Sequence, residues 1–200
     1  MQLIVATRNA HKTREIQRIL GPAFTVSDLS AHPEIPDIRE TGKSFEENAM
    51  LKAVGASRHL PGLIVADDSG LEVDALGGAP GIFSARYAGE NASDKQNIDR
   101  LLSELARIKA EETKRSARFR CVIALVRQGK LLGTFEGIVE GTIVDRARGL
   151  HGFGYDPIFV PRGFEETFAE LPAEVKDTVS HRAKAIRRLT AKLAALKTAD

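Results

Sequence analysis

Ile64-Val65-Ala66-Asp67-Asp68-Ser69-Gly70 is an apolar run that meets two adjacent carboxylates. Ile64 and Val65 are β-branched, so the run is predicted to be a buried strand that ends abruptly in a polar turn at the aspartates. In α/β proteins, chemistry collects beyond the carboxyl ends of strands. Two carboxylates side by side repel each other; they persist where a cation sits against them or where one is protonated. Asp, Ser and Gly are also ordinary turn residues. By itself the stretch therefore fits a solvated turn as well as a site.

The segments around it repeat one plan. Leu3-Ile4-Val5-Ala6 is a short apolar run, expected to be a buried parallel strand. Thr7 to Lys12 follows as a polar loop, and Ile16, Ile19 and Leu20 recur at helical spacing until Gly21-Pro22 stops the helix. Backbone N–H groups at a helix start favour an anion, and Lys12 adds a full positive charge. The glycines of a Walker A loop are missing. Residues 23–43 read as irregular, broken by Pro33 and Pro36, with Glu40-Thr41-Gly42 just before the next helix. Ser44-Phe45-Glu46-Glu47 has the form of a capping box and opens a helix to about Arg58, on which Asn48 and Lys52 share a face. A lysine on a helix face is usually solvated, so on pattern alone Lys52 is a weak candidate.

Beyond the aspartates, Gly77 to Gly81 is a glycine-dense turn, and Ile98, Leu101, Leu102, Leu105 and Ile108 form an amphipathic stripe expected to be core. Lys109 to Arg118 reads as a charged connection. Phe119 to Val126 is the strongest strand signal in the chain; Gln128-Gly129-Lys130 turns it into a hairpin with Leu131 to Glu136. Gly137 and Gly141 flank a further strand piece and are expected to mark bulges. A glycine loop leads into Phe153-Gly154-Tyr155-Asp156, which has the chemistry to sandwich a flat ring and to accept a hydrogen bond from it. Pro172 opens a short helix with Lys176. Ser180 is placed to cap a last helix carrying Ala183, Ile186, Leu189, Leu193 and Leu196 on one stripe. His181 and Arg182 then fall in its first turn, where cations oppose the helix dipole by a few tenths of a kcal/mol. That points either to a ligand, a phosphate by this argument, or to a basic pair on a solvated turn.

The composition bounds the rest. The chain has 200 residues, 42% apolar and 28% charged, with a formal net charge of +2. Those values fit one ordinary globular domain over residues 1–200, and no basic tract argues for nucleic acid or a membrane surface. Cys121 is the one cysteine, so no intramolecular disulfide forms. No apolar run approaches about 18 residues. The first residues carry neither a basic leader nor a cleavage site, so a cytoplasmic location is expected. The expected fold is α/β: an elongated mixed β-sheet flanked by helices, in two lobes with the active site in the cleft between them.

Taken together, Thr7-x-Asn9-x-x-Lys12, Glu40-Thr41-Gly42, Ala66-Asp67-Asp68-Ser69-Gly70, Phe153-Gly154-Tyr155-Asp156 and Ser180-His181-Arg182 resemble the non-canonical purine nucleoside triphosphate pyrophosphatases, the Ham1-like family. Each motif is weak alone; five in order over essentially the whole chain are specific. The resemblance implies a Mg²⁺-dependent homodimer that hydrolyses ITP, dITP or XTP to the monophosphate and pyrophosphate, keeping deaminated purines out of DNA and RNA. It implies that Thr7, Arg8, Asn9, Ala10, His11 and Lys12 form the triphosphate site, with Lys52 a further phosphate contact. Glu40 and Asp68 look like the Mg²⁺ ligands, Asp68 like the general base and Ser69 like a substrate contact. Phe153, Gly154, Tyr155, Asp156, Lys176, His181 and Arg182 resemble the base pocket. For His181 and Arg182 the family's base and the helix-start phosphate are different ligands, and the family is the better guide. Whether Asp67 or Asp68 takes the proton from water stays open. Two rivals are a non-catalytic nucleotide-binding module and a phosphatase with an aspartate nucleophile; the latter normally needs Asp-x-Asp, which Asp68-Ser69-Gly70 does not supply.

Overall fold

The computed structural model describes residues 1–111 and 115–197. Its strands are β1 (Gln2–Val5), β2 (Thr25–Asp28), β3 (Leu63–Val73), β4 (Ser116–Arg127), β5 (Lys130–Ile143) and β6 (Phe159–Pro161). Its helices are α1 (Ala10–Leu20), α2 (Phe45–Ser57), α3 (Asp94–Arg107), α4 (Ala173–Val179) and α5 (His181–Lys197). The strands form one sheet in the order β2-β1-β3-β4-β5-β6. β1 pairs parallel with β2 and β3, whereas β5 and β6 are antiparallel, so the α/β sheet is mixed as expected. Gln128 and Gly129 both have positive φ, as a two-residue hairpin turn between β4 and β5 requires.

The chain packs into two compact units. Unit 1 comprises Met1–Asp68, Cys121–Gly137 and His181–Asp200, of which the last three residues lie outside the described part. Its core joins Leu3 and Val5 of β1, Ile16 and Leu20 of α1, Leu63 and Val65 of β3, Cys121, Ile123 and Leu125 of β4, and Ile186, Leu189 and Leu193 of α5. Unit 2 comprises Ser69–Arg120 and Ile138–Ser180. Its core includes Leu71, Leu101, Leu105, Phe119, Phe159 and Phe168, with Phe119 edge-on to Phe159 at 4.7 Å between ring centroids.

Several sequence expectations need correcting. The strand at Ile64 does not end at the aspartates; β3 continues to Val73, and both carboxylates lie inside it. The irregular stretch 23–43 contains β2, a short edge strand whose Thr25-Val26-Ser27-Asp28 pattern offers no apolar run. The separate pieces around Leu131–Glu136 and Ile138-Val139 are one continuous strand, β5. Gly137 and Gly141 lie within it without positive φ; a Cβ at Gly137 would come within 2.0 Å of the His181 carbonyl oxygen, and one at Gly141 within 2.2 Å of that of Val160. These glycines permit close backbone approach. Ile108, at the end of the α3 stripe, is exposed. Of the charged connection, residues 112–114 lie outside the described residues and Ser116 already belongs to β4.

Candidate active site

In a strand, successive side chains point to opposite faces. Leu63 and Val65 pack with α1 and α5, and Asp67, two residues on, turns the same way. Its Oδ1 lies 3.1 Å from Lys12 Nζ, and its Oδ2 accepts from Arg182 Nε at 3.2 Å and Nη2 at 2.9 Å. Arg182 Nη1 donates to Glu15 Oε2 at 2.5 Å. Lys12 and Glu15 lie one turn apart on α1. Lys12, Asp67, Arg182 and Glu15 thus alternate in sign along one chain of contacts, and Asp67 and Arg182 are 2% and 1% exposed. Burial alone would raise the Asp67 pKa, but Lys12 and Arg182 outweigh it and hold the carboxyl far below the usual range.

Asp68 turns to the other face and meets α2. Its Oδ1 accepts from Lys52 Nζ at 2.8 Å and its Oδ2 from Asn48 Nδ2 at 3.2 Å. The same Lys52 ammonium donates to Glu40 Oε1 at 2.8 Å. Two carboxylates therefore converge on one cation. Asp68 is 6% exposed, and burial, reinforced by the Glu40 charge and opposed by Lys52, raises its pKa. The adjacent aspartates are thus shifted in opposite directions, because they face different helices and different partners.

The loop after β1 is built as a helix start. Asn9 caps α1, its side chain accepting from the His11 N–H at 2.9 Å and the Lys12 N–H at 3.2 Å, and the Asn9 N–H donates to Thr7 Oγ1 at 3.1 Å. Ala10 and His11 form the exposed first turn. Arg8 points to the following loop, donating to Asp37 Oδ1 at 2.7 Å and to the Ile35 carbonyl at 2.6 Å. Ser44 caps α2 as expected, but Glu47 reaches back to the Lys43 N–H rather than to Ser44. Lys52 is 9% exposed, not solvated.

In unit 2, Asp156 Oδ2 accepts from the Phe153 N–H at 2.8 Å and from Lys176 Nζ at 2.5 Å, and both charged groups are buried. The Lys176 ammonium also lies 5.1 Å from the Phe153 ring centroid, a cation–π arrangement. Gly154 has φ +62°, and its N–H donates to Asp94 Oδ2 at 2.7 Å; Tyr155 is buried, with its hydroxyl on the Ser84 carbonyl at 2.9 Å. Ser69 begins the unit 2 part of β3. The structure thus brings Lys12, Lys52, Glu40, Asp67, Asp68 and Arg182 together in unit 1, and Phe153, Gly154, Tyr155, Asp156 and Lys176 together in unit 2. His181 and Arg182 are not a solvated pair: both are buried, and Glu15 and Asp67 compensate the arginine.

Sequence reasoning missed Glu15 and Asn48 as parts of the site. Glu15 sits beside Ile16 on an exposed-looking helix, and its partner lies 167 residues away. Asn48 did leave a signal, being a weak helix former inside α2 and four residues before Lys52.

The Ham1 family model matches residues 3–192 of the chain. The protein belongs to the Ham1 family. Among its relatives, a dITP/XTP pyrophosphatase of Geobacter sulfurreducens is 52% identical over 190 residues, covering 94% of each chain. One of Bacillus subtilis is 45% identical over 190 residues, covering 94% of this chain and 95% of the relative. The solved Ham1 protein of Staphylococcus aureus superposes with a TM-score of 0.84 at 43% identity, covering 98% of this chain and 99% of that one. A HAM1 protein of Coxiella burnetii gives 0.85 at 39% identity, with 97% and 98% covered. No helix among the described residues is long and apolar enough to cross a membrane.

Proposed function

We propose that this Ham1 family member is a Mg²⁺-dependent pyrophosphatase that cleaves ITP, dITP and XTP between the α- and β-phosphates, releasing the monophosphate and pyrophosphate and so keeping these nucleotides out of DNA and RNA. Membership of the family, with relatives named dITP/XTP pyrophosphatases at 45–52% identity, makes it a nucleoside-triphosphate diphosphatase. The observation that carries the finer reading is the convergence of Glu40 and Asp68 on one ammonium.

The donor set fits the metal. Mg²⁺ takes hard oxygen ligands, and usually one or two carboxylates with phosphate oxygens and water. Among the described residues no group of three or more His, Cys, Asp or Glu is poised to hold a metal by itself. Glu40 and Asp68 would be the protein's share, and the bound ion would neutralise charge on the phosphate oxygens. Cleavage also needs an oriented water and a base for its proton. Asp68 is the base in this reading: it lies beside Glu40 on the Lys52 face of β3, whereas Asp67 is taken up by Lys12 and Arg182 and held ionised. Lys12 and Lys52 place cations for the phosphates, and the capped start of α1, from Thr7 to Lys12, offers backbone N–H groups. Ser69 is a further substrate contact.

For base recognition the Phe153 ring of unit 2 would be a stacking face, with the Lys176 ammonium against it and bonded to Asp156; His181 and Arg182 of unit 1 are separately proposed as donors. Arg182 has five N–H groups and spends at least three on Asp67 and Glu15. Hypoxanthine and xanthine carry a 6-oxo acceptor where adenine carries an amino donor. Donors left facing an amino group cost about 1–3 kcal/mol each. The proposed assembly is a homodimer of one pyrophosphatase domain spanning residues 1–200, acting in the cytoplasm.

The test is product analysis on ITP, XTP and ATP with Mg²⁺ and with EDTA. The expected result is pyrophosphate from ITP or XTP, abolished by EDTA. Orthophosphate as the first product would make the protein a phosphatase, and binding without turnover a nucleotide-binding module.

A further inference from the structure

Asn48 is fully buried, at 0% exposed, in the second turn of α2. Asparagine is a weak helix former, because its amide competes for nearby backbone groups. Here the amide is spent on two partners outside the helix. Its Oδ1 accepts from the Gly42 N–H at 2.8 Å and its Nδ2 donates to Asp68 Oδ2 at 3.2 Å. The chemistry of the partners fixes which way the amide faces: a backbone N–H only donates, and an ionised carboxylate only accepts. A Cβ at Gly42 would lie 2.7 Å from Asn48 Oδ1, so that loop residue has no side chain where the asparagine presses on it.

The contacts form a closed frame. Asn48 and Lys52 are successive residues on one face of α2. Between them they hold both oxygens of Asp68, Oδ2 by Asn48 and Oδ1 by Lys52. They also hold both ends of the Glu40–Gly42 segment, Glu40 Oε1 by Lys52 and the Gly42 N–H by Asn48. Aspartate in place of Asn48 would supply no donor to Asp68, serine would not span the gap, and glutamine would be a methylene too long beside Gly42.

We propose that Asn48 is a positioning residue for the two metal-ligand carboxylates: it fixes the rotamer of Asp68 and the approach of the Glu40–Gly42 segment, so that both carboxylates present to one divalent cation. This rests on the Mg²⁺ reading above. Asn48 acts through Asp68 and through the Gly42 end of the Glu40–Gly42 segment. Residues that orient metal ligands typically change metal affinity or activity by about 10–100-fold when lost.

The test uses Mn²⁺ alone as the probe, titrated into the full-length protein and followed by the loss of the free-ion EPR signal. Asn48→Ala and Asn48→Ser are compared with wild type, with thermal unfolding measured on each. Both variants should bind Mn²⁺ about 10–100-fold more weakly, and the Mg²⁺ concentration for half-maximal ITP turnover should rise in step. KM for ITP at saturating Mg²⁺ should stay near wild type. A purely structural asparagine would lower Tm and leave the Mn²⁺ affinity of the folded protein unchanged, and that result overturns the proposal. So does failure of both variants to fold, which would make Asn48 a core residue only. If wild type itself binds no Mn²⁺ and turns over in EDTA, the metal reading fails first and takes this one with it. Mn²⁺ binding that is equal in wild type and variants removes the role of Asn48 alone.

Discussion

Arg182→Ala removes the cation at the centre of the buried network in unit 1. The guanidinium holds Asp67 through Nε and Nη2 and Glu15 through Nη1. After truncation Asp67 keeps Lys12, 3.1 Å away, but Glu15 loses this cation and stays inside the fold. Breaking a buried pair by removing one partner costs about 3–5 kcal/mol, because a charge is left behind without its counterpart. For a chain of this size each kcal/mol moves Tm by roughly 2–4 °C, so the expected fall is about 6–20 °C. Thermal unfolding by circular dichroism at neutral pH measures it. Arg182→Ala combined with Glu15→Gln should recover part of the loss, since the Glu15 carboxylate is one of the two charges that the guanidinium compensates. A Tm equal to wild type would refute the network, and no recovery in the double variant would refute the assignment of the cost to Glu15.

The same variant separates stability from recognition when assayed well below its lowered Tm. If Arg182 also donates to the 6-oxo group, kcat/KM for ITP should fall by the value of a charged hydrogen bond, about 1.5–3 kcal/mol or roughly 10–150-fold. Turnover of ATP, which offers no 6-oxo acceptor, should barely change. An unchanged ITP/ATP ratio in folded protein would confine Arg182 to holding Asp67. Equal losses on both nucleotides would place it on phosphate.

Asp68→Asn should keep the fold and lose turnover by about 10²–10⁴-fold, since the amide keeps the shape but neither takes a proton nor holds Mg²⁺ as a carboxylate does; a variant with most of its kcat would move the base elsewhere. Lys12→Ala should weaken ITP, XTP and ATP alike in kcat/KM if Lys12, at the start of α1, contacts the phosphates as proposed; a loss that depends on the base would refute that placement. The depressed pKa of Asp67 sets an acid limit. A carboxyl lowered on folding contributes stability that is full above its unfolded value, near 3.8, and is lost as pH falls toward the folded one. Wild-type Tm should therefore lose this contribution only below about pH 4, and Asp67→Asn, less stable at neutral pH, should show a shallower acid slope; parallel slopes in Tm against pH would contradict it.

Elements with a clear period or a chemical stop were legible in the sequence. Ile16 and Leu20 marked the buried face of α1, Gly21 its end, Ser44 the start of α2, and the β4–β5 turn was read from Gln128-Gly129-Lys130, of which Lys130 already belongs to β5. What failed was any inference that needed a partner distant in sequence. Two aspartates ending an apolar run read as a turn, because in isolation a strand does not bury two charges. The strand continues because Lys12, Lys52 and Arg182 arrive from α1, α2 and α5. β2 was invisible because an edge strand half exposed to water has little apolar pattern to show. The residue types of the site were legible from motif order; Glu15 and Asn48 were not, since each is defined by what it touches.

Asp67 and Asp68 obtain opposite properties from one geometrical fact, the two-residue period of β3. Strand alternation sends the first toward α1 and α5 and the second toward α2, so their charges are separated by the backbone and each finds its own cation. Had the strand ended between them, both would have faced water and neither pKa would need to move. A register shift of a single residue would exchange their faces, presenting Asp67 to Lys52 and Asp68 to Arg182. The apolar neighbours prevent it, because Leu63 and Val65 would leave the cluster they share with Ile16, Ile186 and Leu189. The apolar packing of unit 1 therefore fixes the electrostatics of the site. It decides which aspartate pairs with Lys12 and Arg182 and which with Lys52 and Asn48.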